Sequence, residues 1–259
     1  MAEEKELLNN RKPWTKEQLK LAFYLYCQIP FGKLHSRNPT IIKLAGLIGK
    51  TPSAIAMKLV NFASLDPVVQ SRGRKGLGNA SIADNEIWNE FHNNWEELTD
   101  ECEYLLSKDN SFTDVKENEL SDYAGETYDA TVSVRLGQSF FRKAVLASYK
   151  NICCISGVSL PQLLIASHIV PWAYAKENRL NPSNGLCLSA IHDRAFDKGL
   201  ITVTPDFKVY VSKKLRENSN NSQQMKLLIE SDKKMITLPE KFLPNKDFLD
   251  WHNKNIFVR

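Results

Sequence analysis

Long apolar runs are missing from this 259-residue chain: none reaches the roughly 18 residues a helix needs to cross a bilayer, so no membrane association is expected. The start, MAEEKELLNN, lacks a basic opening followed by an apolar stretch, so no secretory signal is expected and a cytoplasmic location is the default. Cysteine is sparse and odd in number: Cys27, Cys102, Cys153, Cys154 and Cys187 include no CxxC pair. That pattern argues against a disulfide framework and against a four-thiolate site, so no structural zinc is expected. Cys153, Cys154 and Cys187 read as small buried fillers. Histidine is equally scarce, with five in the whole chain, so any clustering of imidazoles carries information.

What is present is a globular composition, 42% apolar and 25% charged, with charge that is segregated along the chain. Thirteen Lys/Arg face five Asp/Glu between Met1 and Lys75, and two face fifteen between Gly76 and Thr131. The remainder, Val132 to Arg259, holds nineteen against ten. Two basic blocks flanking an acidic one point to a polyanionic partner, and double-stranded DNA is the natural choice.

The first block reads as helices. WTKEQLKLAFYLYCQ has Thr15 as a cap and Leu19, Ala22, Phe23 and Tyr26 at helical spacing. Pro39 opens a second helix, Gly49 and Lys50 close it, and Thr51 with Pro52 begins a third carrying Ile55, Met57, Leu59 and Phe62. Two short helices joined by a tight glycine turn outline a helix-turn-helix. Lys50, Ser53 and Lys58, with Arg72, Arg74 and Lys75 just beyond, are the candidate DNA contacts; a three-helix packing module that touches no DNA fits the same pattern. Residues 84–106 read as one acidic amphipathic helix with Ile87, Trp88, Phe91, Trp95 and Leu98 inward. Residues 107–131 read as an acidic linker, which makes 1–106 a helical module and 132–259 a second domain.

The chemistry concentrates in the second domain. LLIASHIVPW is a short strand that reaches His168 and cannot run past Pro171 as a regular central strand. NGLCLSA is a second strand entered through the turn residues Asn181 to Asn184, HDRAFDK a short helix closed by Gly199, and LITVTPDFKVYVS a hairpin. A helix, GQSFFRKAVLASYKN, precedes them; its Arg142 and Lys143 either hold phosphates or are merely solvated. Taken alone, His168 reads as an ordinary core histidine. Its company with Asn184, His192 and Asp193 reverses that, whereas His35, His92 and His252 lack such neighbours and read as surface or packing residues.

SHIVPW followed by NPSNGLCLSAIHDRAFDKGLI closely resembles the HNH endonucleases, and within them the bacterial group often attached to restriction systems. The resemblance runs from about Arg135 to the C-terminal LPEKFLPNKDFLDWHNKNIF. It implies an α+β protein with an N-terminal helical, helix-turn-helix-like module and a C-terminal ββα-metal HNH domain. It implies His168 as general base, suited to the role because imidazole is neutral near physiological pH. Asn184 becomes the motif's middle, orienting residue, and His192 the third. His192, Asp193 and Asp197 become the candidate ligands of one divalent metal, Mg²⁺ or Mn²⁺. The chain departs from a common form of the pattern at Ser167, where many HNH sites carry an acidic residue or a second histidine; a hydroxyl is a poor substitute for a carboxylate on Mg²⁺. The implied activity is metal-dependent hydrolysis of DNA phosphodiesters, most economically in restriction of foreign DNA. The alternative is a non-catalytic DNA-binding regulator on an HNH-like scaffold. A homodimer is compatible with the first reading, because one such centre cuts one strand.

Overall fold

The computed structural model describes residues 13–73, 80–92, 94–108, 128–218 and 223–259. These fall into two compact units: the described residues of Met1–Cys27 and Gly32–Phe140, and Gln28–Phe31 with Phe141–Arg259. The chain mixes helices with short antiparallel sheets, as expected for an α+β protein. Among the described residues no helix is long and apolar enough to cross a membrane.

In the first unit α1 spans Lys16–Gln28, with Thr15 Oγ1 accepting from the Gln18 N–H. Helix α2, Pro39–Ile48, is capped by Asn38 and closed by Gly49, which sits in the left-handed region at φ 65°. Thr51 then caps α3, Pro52–Leu65, so the helix-turn-helix outline is built from the caps that the sequence advertises. Helix α4, Pro67–Ser71, is short and follows an Asp66 cap. The acidic stretch forms two helices rather than one: α5, Ile82–Phe91, and α6, Trp95–Ser107. The break falls at Asn94, which lies outside helical space at φ −134°, ψ 64° and whose side-chain amide donates to the Glu97 carboxylate. Its predicted inward residues Ile87, Trp88, Phe91, Trp95 and Leu98 are all buried. Trp88 and Trp95 pack with Phe23, whose ring lies 5.1 Å from Phe62, 5.5 Å from Trp88 and 6.0 Å from Trp95. Of the expected linker at 107–131, residues 109–127 lie outside the described residues.

Helix α7 spans Tyr128–Ser148, and its Phe141–Ser148 portion belongs to the second unit. There β1, Leu164–His168, pairs antiparallel with β2, Gly185–Ser189, placing Ser167 opposite Leu186 and His168 opposite Gly185. Helix α8, Ala190–Asp197, follows β2 directly and packs on both strands. A second hairpin joins β3, Ile201–Val203, to β4, Val209–Val211. Helices α9, Lys213–Glu217, α10, Gln223–Ile229, and α11, Lys246–Asn255, complete the unit. His252 of α11 is buried, its ring stacked on Phe196 at 3.7 Å and its Nδ1 2.8 Å from Thr202 Oγ1, so it locks α11 to α8 and β3. All five cysteines are unpaired and buried.

Candidate active site

The strand, loop, strand and helix carry every residue that the sequence singled out for catalysis. Pro171 ends the regular strand after His168, and the loop returns to β2 through an Asn181 turn that accepts from the Ser183 N–H. Asn184 holds this loop from the inside. Its side chain is fully buried; Oδ1 accepts from Val170 N–H at 2.8 Å, and Nδ2 donates to the carbonyls of Val170 at 3.1 Å and Asn178 at 3.2 Å. Its backbone carbonyl accepts from Ile169 N–H at 2.9 Å. An amide offering both an acceptor and two donors is the side chain that satisfies such a set.

The ring of His168 is fixed on three sides. It stacks on Phe141 of α7 with centroids 3.9 Å apart and planes 7° apart, and Trp172 meets it edge-on at 5.6 Å. Its Nε2 lies 2.8 Å from the Arg179 carbonyl. A carbonyl only accepts, so Nε2 carries the proton and the neutral ring keeps its lone pair on Nδ1. Burial pushes the His168 pKa below 6.5, while the Arg179 carbonyl pulls it back up. Gly185, opposite His168, makes this packing possible: a Cβ there would lie 2.3 Å from Val145 Cγ2 and 3.0 Å from Phe141 Cζ.

The acidic side of the site lies on α8. Asp193 and Asp197 are one turn apart and share a helix face. Burial raises the Asp193 pKa against the pull of Ser167 and Arg194; burial and then the charge of Asp193 raise that of Asp197. Ser167 is buried beside Asp193, and its hydroxyl lies near enough to favour the ionised carboxylate. A cation beside these oxygens would relieve the repulsion between the carboxylates.

His192 lies on a different side of α8 from Asp193. It sits about 100° around the helix from Asp193. Its Nδ1 is hydrogen-bonded to Ser189 Oγ at 2.8 Å, and its ring lines a cleft of about 210 Å³ with Val209, Leu227 and Lys234. Burial lowers its pKa. Among the described residues no three His, Cys, Asp or Glu side chains are grouped to hold a metal.

The expected DNA contacts scatter. Ser53 is exposed, as are Arg72 and Lys143, while Arg74 and Lys75 lie outside the described residues. Lys50 lies over the Trp14 ring at 5.3 Å and reaches the Pro13 carbonyl at 3.4 Å. Lys58 is not on the solvent face that the helical pattern gave it. It is buried in an ion pair with Asp84 at 2.8 Å and packs over Trp14 at 5.1 Å, so it is committed to the core. Arg142 donates to the carbonyls of Leu164 at 2.8 Å and Pro161 at 3.4 Å, which braces the entry to β1. The sequence reading missed Phe141 and the Arg179 carbonyl. The first was legible only as an apolar position, and a backbone acceptor leaves no sequence signal.

No curated protein matches the chain. Residues 153–204, the stretch that holds His168, Asn184, Gly185 and the two aspartates, match the family model described as HNH endonuclease. The C-terminal half of the chain therefore carries an HNH endonuclease domain.

Proposed function

We propose that this domain hydrolyses DNA phosphodiesters, with Nδ1 of His168 taking the proton from the attacking water. The observation that carries the reading is the setting of that ring: it is stacked on Phe141, burial favours its neutral form, and Nε2 is committed to the Arg179 carbonyl, which leaves the Nδ1 lone pair for proton transfer. Asn184 shapes the loop that bears both Arg179 and Trp172, and so acts as a positioning residue. Asp193 and Asp197, with waters completing the shell, would hold one Mg²⁺ or Mn²⁺; the cation would screen the phosphate and stabilise charge on the leaving oxygen. His192 belongs to the packing of α8 in this reading. The helix-turn-helix outline and the basic first block support a DNA-reading role for the N-terminal helices, and restriction of foreign DNA is the simplest use for a reader joined to a cutter.

A second reading, a DNA-binding regulator without cleavage, is favoured by Ser167 standing where an acidic residue is common and by the lack of a three-ligand group among the described residues. Supercoiled plasmid and modified phage DNA incubated with the full chain and Mg²⁺ or Mn²⁺ separate the two. Cleavage that falls by about 10²-fold or more in His168→Ala, and that is also lost in Asp193→Asn, supports the nuclease. Nicked product marks one centre acting alone and linear product two acting together. Equal nicking by His168→Ala removes the assigned base, and binding without cleavage of any DNA supports the regulator.

A further inference from the structure

Arg142, a candidate phosphate contact in the sequence, turns both terminal nitrogens of its guanidinium to backbone carbonyls. A different arginine is arranged for that task. Arg179 is half-buried in the loop between β1 and β2; its Nε donates to the Trp172 carbonyl at 3.0 Å and its Cζ lies 5.1 Å from the Trp172 ring centroid. The same indole meets His168 edge-on, and the Arg179 backbone carbonyl holds His168 Nε2. The side chain is therefore anchored at one nitrogen and one face, while its two terminal Nη groups make no hydrogen bond or ion pair with any described residue. Paired terminal donors on a guanidinium match the spacing of two phosphate oxygens, and anchoring removes much of the rotamer entropy that binding would otherwise cost.

We propose that the Arg179 guanidinium binds a DNA phosphate beside the scissile linkage, which makes it the phosphate clamp of the His168 centre. The inference rests on the reading of that centre as the cleavage site. It gives one residue two separable tasks, since the carbonyl fixes the base and the guanidinium holds the substrate. Binding of a DNA duplex to the full chain is measured by fluorescence anisotropy from 50 to 200 mM salt in the His168→Ala background, with and without Arg179→Gln or Arg179→Lys.

Loss of one phosphate contact lowers the salt slope by about one, so the affinity change across that range shrinks roughly threefold to fourfold in Arg179→Gln, while Arg179→Lys keeps the slope. Thermal melting of each variant reports the brace to Trp172 separately, and Arg179→Ala repeats the neutral arm if Arg179→Gln is not folded. An unchanged slope with a lowered melting temperature in both Gln and Lys variants overturns the inference and leaves Arg179 as a loop brace. A reduced slope in Arg179→Gln, where the chain with His168 intact cleaves no DNA, keeps Arg179 as a phosphate contact and refutes the nuclease reading instead.

Discussion

Replacing Asn184 by alanine tests whether one buried amide holds the loop that orients the His168 ring. The change leaves Val170 N–H and Val170 C=O without partners, both in a residue that is 6% exposed, and removes a third bond to the partly buried Asn178 carbonyl. Each unsatisfied buried group costs about 1–3 kcal/mol, and the Asn178 carbonyl can turn to water, so the loop loses about 4 kcal/mol. That is roughly a 10³-fold rise in its open population. Hydrogen exchange read at the Ile169 amide is the assay, because its acceptor is the Asn184 backbone carbonyl, which the substitution leaves in place. Asn184→Asp keeps the acceptor for Val170 N–H but turns a carboxylate toward two carbonyls, so it exchanges at least as fast as Asn184→Ala at neutral pH. It slows again once acid restores an O–H donor. An Ile169 protection factor that falls by less than about tenfold in Asn184→Ala would refute the reasoning.

Three other outcomes follow from the same geometry. The acidic limb of the cleavage rate has its midpoint below 6.5, because burial depresses the His168 pKa and the neutral ring persists to lower pH; a midpoint at or above 7 contradicts it. Lys58→Met leaves the buried Asp84 carboxylate with the Ser81 N–H but without its counter-ion and costs about 3–5 kcal/mol in urea unfolding, while DNA affinity follows stability and not the lost charge. His252 has its pKa lowered to about 4 by burial, so the unfolded chain takes up its proton first. Its contribution is complete above about pH 6.5 and is lost as pH falls toward 4, a change of about 3 kcal/mol that His252→Gln flattens in urea midpoints measured across that range.

The segments that read clearly from sequence are those whose signals are local. Thr51 before Pro52 and Gly49 after Ile48 announce caps, and the order of strand, turn, strand and helix from Leu164 to Asp197 is written in Pro171, Asn181 and the spacing of apolar residues. What escaped depends on partners far along the chain or on atoms common to every residue. Lys58 looks like a solvent-facing lysine until Asp84, 26 positions later, comes to meet it. His192 stands next to Asp193 in sequence, but the turn of α8 carries it to another face, where Ser189 holds it. The acceptor that sets the protonation of His168 is a peptide carbonyl, and nothing in the identity of Arg179 announces it.

That carbonyl has a consequence for how the domain can change over time. The proton address of the His168 imidazole is written in main chain, so every amino acid at position 179 supplies the same acceptor as long as the loop keeps its path. The side chain at position 179 can thus change without disturbing which ring nitrogen stays basic.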